Sequence, residues 1–343
     1  HDGTVRSDLS SSLTSALEQN GRSLSEFRIE GKIGTGKFST VYAAWHVAAG
    51  QPVALKTVQV FEILDSTSAI KAKRGCGEAK PLDAQTWAMI FTKSSTRTRV
   101  SFEVGIRALG GSVMFLNAND MQLGRGEPIK DTARVLGRMV HGAVIRTYAQ
   151  ADVEEFAALS NIPTINALTD DEHPCQILTD IFTFEEARGP IQGRVVTYVG
   201  DGACNVPLTW VHAAAVLDFE LRIAAPTEFQ PNAETLAKAG GKITCTEDIQ
   251  AAVDQADMVY TDVWVSMGME SEAEDRLAKL AGYQINAEVM RLARPDALVM
   301  HCLPAYRGKE IDEETFEAHA DAIFTQAENR LHTQKAIMSW LAV

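Results

Sequence analysis

From about residue 86 onward, short apolar runs of strand character alternate with amphipathic runs of helical character. This alternation is typical of parallel α/β sheets, in which a helix returns the chain between neighbouring strands. The predicted strands are 87–91, 111–116, 143–148, 163–168, 194–200, 221–225, 242–245, 258–264, 297–303 and 322–324. The helices predicted between them include 128–140 and 174–188, and Arg188-Gly189-Pro190 then interrupts the pattern. The sequence therefore predicts two parallel-sheet α/β domains with a cleft between them.

The predicted domain organisation has four parts. Residues 1–57 form an N-terminal extension that we do not expect to be an independent domain. A first α/β domain covers 58–185 and opens with a helix over 58–74, whose apolar side carries Phe61, Leu64 and Ile70. A second domain covers 186–325. A C-terminal helix, within 326–343, is predicted to pack back on the first domain.

Composition excludes several classes of protein. The 343 residues carry a formal net charge of −13, which argues against a general nucleic-acid binder because that role needs a basic face. No apolar run approaches the length of a membrane span. The five cysteines are odd in number and lack CxxC spacing, which favours a reducing compartment over a disulfide scaffold. Because the chain begins at His1, we expect a fragment or a processed form. We expect a cytoplasmic location, with the mitochondrial matrix as the alternative.

A phosphate-binding pattern lies between the first predicted strand and the following helix. Ser95-Thr96-Arg97-Thr98-Arg99 brings hydroxyl and guanidinium groups to a helix start, where free N–H groups and the helix dipole also favour an anion. Alone, this run could equally be an exposed helix cap. Two further runs strengthen the interpretation: His173-Pro174-Cys175-Gln176 and His301-Cys302-Leu303-Pro304, each beside a predicted strand or helix boundary.

Together these runs resemble the transcarbamylase family over about residues 58–343. Asp262-Val263-Trp264-Val265-Ser266-Met267-Gly268 narrows the resemblance to the ornithine carbamoyltransferases. The resemblance implies transfer of a carbamoyl group from carbamoyl phosphate to L-ornithine, giving L-citrulline and phosphate by direct attack of the δ-amine. It also implies that 58–185 binds carbamoyl phosphate and that 186–325 binds ornithine.

The resemblance assigns carbamoyl phosphate to residues from several motifs. Phosphate contacts are implied for Ser95, Thr96, Arg97, Thr98 and Arg330, and contacts with the carbamoyl group for Arg146, His173, Gln176, Cys302 and Leu303. Donors such as His173 would stabilise the oxyanion of a tetrahedral intermediate. For Cys302 no covalent role is needed, since the amine itself attacks.

The same resemblance assigns the second substrate to the later motifs. Asp262 is implied to pair with the α-ammonium of ornithine, and Ser266 and Met267 belong to a loop that closes over it. Asn205 is aligned with an ornithine-binding asparagine across a one-residue length change in Gly200-Asp201-Gly202-Ala203-Cys204-Asn205.

The resemblance also implies an oligomer. Gln122 lies in a loop that family members donate to a neighbouring subunit's carbamoyl phosphate site, which implies a homotrimer or a multiple of trimers with shared sites. The implied reaction requires no cofactor. A metal site is not expected, because neither His301-Cys302 nor His173-x-Cys175 has the paired spacing of zinc ligands.

Residues 27–57 carry a different resemblance. Gly34, Gly36 and Lys56 lie in a sequence similar to the glycine-rich loop and β3 lysine of NIMA-related protein kinases, which suggests a fusion or chimera. A kinase would also need an H-R-D loop and a D-F-G metal site, and the sequence after Lys56 supplies neither in context.

Three other functions are compatible with parts of the sequence. The acceptor could be putrescine, an N-acylated ornithine or aspartate, although Asp262 favours an acceptor that keeps its α-ammonium. A transcarbamylase-like scaffold without activity is a second alternative, resting on the lengthened loop at 203–205. Nicotinamide binding is disfavoured, because Asn205 stands where the G-x-G-x-x-G pattern of Gly200 and Gly202 needs its third glycine.

Overall fold

The structure, a computed structural model, describes residues 27–36, 39–46, 51–56, 60–117, 121–122, 126–266 and 269–342. It contains two compact units, divided between Asp65 and Ser66. In the first unit, an antiparallel sheet is formed by β1 (Phe27–Gly36), β2 (Ser39–His46) and β3 (Gln51–Lys56). A helix, α1 (Val60–Ala72), follows within the range predicted for it.

The second unit contains two sheets in which every neighbouring pair of strands is parallel. In the first of these, the spatial order is β5-β4-β6-β7. Its strands are β4 (Thr86–Phe91), β5 (Ser112–Asn117), β6 (Gly142–Arg146) and β7 (Thr164–Leu168). The helices that connect and follow them are α2 (Thr96–Ala108), α3 (Ile129–Leu136), α4 (Gln150–Ser160) and α5 (Pro174–Arg188).

The second parallel sheet has the order β10-β9-β8-β11-β12. Its strands are β8 (Val195–Val199), β9 (Glu220–Ala224), β10 (Lys242–Thr246), β11 (Met258–Thr261) and β12 (Leu298–His301). Its helices are α6 (Asn205–Leu217), α7 (Ala233–Ala239), α8 (Ile249–Val253), α9 (Ala273–Leu280), α10 (Ala287–Met290) and α11 (Glu313–Ala318). Short 3₁₀ turns lie at Thr227–Phe229, Glu270–Glu272 and Ala281–Tyr283.

The chain ends in a long helix, α12 (Ala320–Leu341), which packs on the first parallel sheet's helices. Gly105 on α2 allows this close approach, because a Cβ there would lie 3.1 Å from Met338 Cε and 3.2 Å from Lys335 Cγ. Arg330 Nη2 also donates to Thr98 Oγ1 on α2 at 2.8 Å. The predicted fold of two parallel-sheet domains with a returning C-terminal helix is confirmed.

One predicted strand is wrong. Residues 322–324 were predicted as a strand, but they lie in the first turns of α12, which begins six residues before the range 326–343 predicted for the C-terminal helix. The apolar pair Ile323 and Phe324 explains the error: Ile323 is buried and Phe324 is 54% exposed, so the two point away from each other as they would in a strand. Five other strands end one to three residues earlier than predicted, at Arg146, Val199, Ala224, Thr261 and His301.

No helix in the described part of the chain combines the length and apolarity that a membrane span requires. All five cysteines are free thiols.

Candidate active site

The cleft between the two parallel sheets holds a cavity of about 510 Å³, a size typical of small-molecule sites. It lies at the carboxyl ends of the strands, where open α/β sheets place ligands. Most of the predicted site residues line it: Ser95, Thr96, Arg97, Arg146, His173, Asn205, Asp262, Ser266, Cys302, Leu303 and Arg330.

Three of the described residues that were predicted for the site, Thr98, Gln122 and Gln176, are not part of the cavity lining. Thr98 and Gln176 are buried behind it, at 0% and 1% exposure. Gln122 lies in a short described stretch at 121–122, and its backbone carbonyl accepts from Glu127 N at 3.0 Å. Met267 lies outside the described residues, as do residues 123–125 of the Gln122 loop.

The helix α2 begins at the cavity with a side-chain cap. Ser95 has an extended backbone and its Oγ accepts a hydrogen bond from Thr98 N at 3.2 Å. The cap orients the first turn so that Ser95, Thr96 and Arg97 all face the cavity. The arrangement is that of a helix N-terminus prepared for an anion, with an arginine in the first turn.

Three guanidinium groups converge on this side of the cavity. Arg146, the last residue of β6, is 5% exposed, and burial together with the positive charges of Arg330 and Arg97 lowers its pKa to about 10. Burial also lowers the pKa of Arg330. The Nε atoms of Arg146 and Arg330 have no hydrogen-bond partner among the described residues. Converging cations with spare donors fit a dianionic ligand such as a phosphoryl group.

His173 directly precedes α5, in which Pro174 occupies the first helical position, and its side chain makes no capping hydrogen bond. Its backbone N–H donates to Thr209 Oγ1 at 2.8 Å, which ties the helix start to α6. Burial and the nearby charges of Arg330 and Arg146 hold the pKa of the imidazole well below its usual range. The ring is therefore neutral near pH 7, and its Nδ1 has no partner in the described structure. A neutral imidazole here can donate one hydrogen bond to a carbonyl oxygen without adding another positive charge.

Gln176 is held from behind by a buried carboxyl group that sequence reasoning missed. Asp180 Oδ1 accepts from Gln176 Nε2 at 2.8 Å and from Gln326 Nε2 at 2.7 Å, while Oδ2 accepts from Tyr260 O–H at 2.8 Å. Burial raises the pKa of Asp180 to about 7. Only the four-residue spacing from Gln176 along a helix could have indicated this contact.

The opposite wall of the cavity carries a second buried carboxyl. Asp262 follows β11, and its Oδ1 accepts from Val263 N at 2.7 Å. Burial raises its pKa, against the lowering effect of hydrogen bonds from the Cys302 thiol and from Val263 N–H. Burial and the negative charge of Asp262 raise the pKa of the Cys302 thiol well above its usual value, so it is protonated and a poor nucleophile.

Asn205 begins α6 at the cavity edge. Its Nδ2 donates to Thr169 O at 2.6 Å, which joins the second sheet's first helix to the segment after β7. The preceding loop is fixed by a buried ion pair between Asp201 and Arg276, and Arg276 Nε also donates to Trp264 O at 2.9 Å. This pair, which the sequence patterns did not reveal, connects the 201–205 loop to the segment that follows Asp262.

Lys93 is a further lining residue that the sequence analysis did not select. It is 7% exposed, forms an ion pair with Asp170 and lies 4.3 Å from the centroid of the Tyr148 ring. It joins the segments after β4 and β7 at the mouth of the cavity.

Asp262, His301 and Cys302 bring three possible metal-ligand atoms within 4.8 Å of one another. The His301 ring has partners at both nitrogens already: Leu303 N–H at Nδ1, 2.9 Å away, and Glu310 Oε1 at Nε2, 3.2 Å away. A metal would have to displace one of these contacts, so the arrangement is not a prepared metal site.

Comparison with known proteins gives matches along both sheets. A family model described as the aspartate/ornithine carbamoyltransferase carbamoyl-P binding domain matches residues 52–186, and the Asp/Orn binding domain of the same family matches residues 192–341. The chain therefore belongs to the aspartate/ornithine carbamoyltransferase family.

Individual relatives distinguish between the aspartate and ornithine types of this family. An ornithine carbamoyltransferase of Akkermansia muciniphila is 53% identical over 287 residues, covering 83% of this chain and 94% of the relative. The anabolic ornithine carbamoyltransferase of Pseudomonas aeruginosa is 50% identical over 264 residues, covering 76% and 86%. The solved anabolic ornithine carbamoyltransferase of Campylobacter jejuni matches with a TM-score of 0.77 and 42% identity, covering 82% and 94%. Within the family, the chain is a carbamoyltransferase of the ornithine type.

Proposed function

We propose that the cleft carries out direct transfer of the carbamoyl group of carbamoyl phosphate to the δ-amine of L-ornithine, giving L-citrulline and phosphate. The observation that carries the proposal is the placement of opposite charges on the two sides of the cavity. Three guanidinium groups lie on one side and the Asp262 carboxyl lies on the other. An anionic phosphate fits the first wall and an α-ammonium fits the second. The reaction moves the carbamoyl carbon from the phosphate oxygen to the amine nitrogen, and the amine loses one proton.

On the phosphate side, we assign binding to Ser95, Thr96, Arg97, Thr98 and Arg330. The Ser95 cap and the spare Arg330 Nε donor support this assignment. Thr98 acts from behind the wall, since its hydroxyl accepts from Arg330 Nη2 and so orients that guanidinium.

At the carbamoyl group, the proposal gives charge stabilisation to Arg146 and His173. Both carry a buried polar atom without a partner in the described residues, which is the condition expected of donors that await a ligand. Gln176 has an unpartnered Oε1 and is assigned to the carbamoyl NH2, together with the backbone carbonyls of Cys302 and Leu303.

On the ornithine side, Asp262 pairs with the α-ammonium, and Asn205, Ser266 and Met267 complete the assignment. Closure of the segment containing Ser266 and Met267 would exclude water and align the amine with the carbonyl carbon, which supplies much of the rate by orientation. The α-ammonium of ornithine distinguishes it from putrescine and from N-acylated ornithine.

Two substitutions test the phosphate side and the ornithine side of the cavity separately. Arg97→Ala removes a phosphate donor and should lower kcat/KM for carbamoyl phosphate by about 10²- to 10³-fold, the usual loss for one transition-state donor. Asp262→Ala should mainly raise KM for ornithine. If Arg97→Ala turned over normally, the phosphate assignment would be wrong.

We further propose a homotrimer, or a multiple of trimers, in which the Gln122 loop reaches a neighbouring subunit's site. Exposed apolar side chains on α2 and the edge strand β5 support a subunit interface: Val100 (54%), Val104 (45%) and Met114 (47%). Light scattering tests this, and a monomer with full activity would contradict it.

Relatives described as anabolic support a biosynthetic direction, and the free thiols support a reducing location such as the cytoplasm. The proposed domain limits are 58–185 for carbamoyl phosphate and 186–325 for ornithine. The last limit falls inside α12, which begins at Ala320.

We propose that the kinase-like residues 27–57 are a fused segment without a role in carbamoyl transfer. The carbamoyl-P family model begins its match at residue 52, after most of this segment. ATP titration followed by calorimetry tests the alternative, and saturable ATP binding would contradict the proposal.

A further inference from the structure

His301 lies directly beneath the Cys302-Leu303-Pro304 turn, at the end of β12. It is 1% exposed, and its ring bridges two partners. Leu303 N–H donates to Nδ1 at 2.9 Å, and Nε2 lies 3.2 Å from Glu310 Oε1. Because a backbone N–H can only donate, Nδ1 carries the lone pair and Nε2 carries the proton.

Glu310 fixes this tautomer from a rigid position. Its side chain is fully buried, and the same Oε1 accepts from Tyr306 N–H at 2.6 Å. Its backbone carbonyl accepts from Ile285 N–H at 2.9 Å. Held at both ends, the carboxyl group keeps the His301 ring in one orientation.

The ring in turn holds an unfavourable backbone conformation. Leu303 has φ of 58°, in the left-handed region that residues with a Cβ avoid. The hydrogen bond from Leu303 N to His301 stabilises this conformation, and it turns the Leu303 carbonyl toward Arg97, whose Nη2 donates to it at 2.6 Å. The turn therefore links the ornithine-side sheet to the phosphate-binding helix α2.

We propose that His301 and Glu310 are positioning residues for carbamoyl transfer: they hold the Leu303 carbonyl where it orients Arg97 and receives the carbamoyl NH2. The inference rests on the proposed function for the identity of the ligand. Neither side chain touches the substrate, and the effect passes through the Leu303 backbone.

A matched pair of substitutions separates the two ring contacts. In His301→Asn, the amide oxygen can take the place of Nδ1, because asparagine commonly accepts from the N–H two residues later. In His301→Gln, the amide NH2 can take the place of Nε2 and donate to Glu310, but the acceptor for Leu303 N–H is lost. Each variant thus keeps one contact and loses the other.

We expect His301→Gln to lower kcat/KM for carbamoyl phosphate by about 100-fold, the loss that a displacement of about 1 Å can cause. His301→Asn should keep most of the activity. In His301→Gln, the fold decrease in kcat/KM for carbamoyl phosphate should exceed the fold change in KM for ornithine. Since both variants lose one buried contact, a merely structural role predicts similar losses in both. Equal activities, or a more active His301→Gln, would overturn the inference.

Two substitutions at Glu310 give a second matched pair of variants, and they leave His301 at the end of β12 unchanged. Glu310→Gln keeps an oxygen that can accept from His301 Nε2 and Tyr306 N, whereas Glu310→Leu removes it. The first should retain most of the carbamoyl-transfer activity and the second should lose it, with folding of both followed by circular dichroism. Activity of a folded Glu310→Leu equal to that of Glu310→Gln would also overturn the inference.

Arg97→Ala, measured beside these variants, distinguishes the two proposals. If Arg97→Ala is inactive and the His301 pair shows no difference, the positioning role fails and the phosphate site stands. If Arg97→Ala is fully active, the phosphate site itself fails.

Discussion

At the scale of single residues, the position of Arg146 favours an anionic ligand but lowers the stability of the ligand-free protein. It is nearly buried beside two other arginines, which lower its pKa, and its Nε lacks a partner in the described structure. A buried cation among like charges destabilises the free protein unless an anion arrives. Under the proposed function, such a residue serves its ligand and not the stability of the fold.

Arg146→Met tests this reasoning. The variant should lose carbamoyl-transfer activity by about 10²-fold or more, while its thermal unfolding midpoint stays the same or rises, because the unpaired charge is gone. The control is Arg291→Ala, whose side chain is 71% exposed and pairs with Glu288 at 3.5 Å. That variant should change neither quantity. A lowered midpoint in Arg146→Met would show that the arginine is structural.

Asp180 predicts a pH dependence of stability. Burial raises its pKa from the ordinary value of 3.8 to about 7, so the folded protein binds this proton more tightly than the unfolded chain does. Its contribution to stability is therefore present below pH 3.8 and is lost as pH rises toward about 7. Asp180→Asn cannot titrate, so the difference in unfolding midpoint, variant minus wild type, should increase between those pH values. A difference that is constant with pH would contradict the shifted pKa.

At the scale of elements, the docking of α12 on α2 depends on Gly105. A Cβ at this position already approaches Met338 and Lys335, so the branches of valine would overlap them. Gly105→Val should destabilise the fold by about 1–3 kcal/mol, as overpacking usually does. Gly282→Val is the matched control, because a Cβ there meets nothing within 4 Å among the described residues. Equal unfolding midpoints for the two variants would contradict this packing.

Sequence patterns predicted helices and strands well where the apolar periodicity agrees with the proline and glycine residues that mark the ends of an element. Helix 174–188 was predicted to the residue, since Pro174 and Gly189 mark its ends. The strand at 322–324 failed because three apolar residues fit a helix turn as well as a strand, and the distant packing of Gly105 and Met338 decides between them. Motifs located most of the cavity lining. Contacts such as Asp180 with Tyr260, 80 residues apart, depend on the tertiary fold and leave no local signal.

At the scale of the whole molecule, the two sheets and α12 supply opposite charges to one cavity. Under the proposed function, each sheet alone would bind one substrate without reaction. The chain carries a net charge of −13, and the three guanidinium groups must therefore attract an anion locally, against the overall field. The cleft concentrates positive charge where the low dielectric of buried walls strengthens it.

The whole-molecule account also predicts the pH profile of turnover. The attacking δ-amine must be neutral, and an alkyl amine has a pKa of about 10 in water. Because the lowered pKa of His173 keeps its ring neutral near and above pH 7, it should not limit the rate there. The rate with chemistry limiting should therefore rise from pH 6 to 9. A flat profile over that range would contradict direct attack by the neutral amine.

The proposed cleft binds carbamoyl phosphate on one side and ornithine on the other. The most direct test of this arrangement is a carbamoylation assay on the full chain with L-ornithine, putrescine, N-acetylornithine and aspartate as competing acceptors, in which carbamoylated products and phosphate are both quantified. We expect citrulline and phosphate in equal amounts from ornithine, with much slower reaction of the other three acceptors. Faster reaction of any other acceptor, or phosphate release without citrulline, would contradict it.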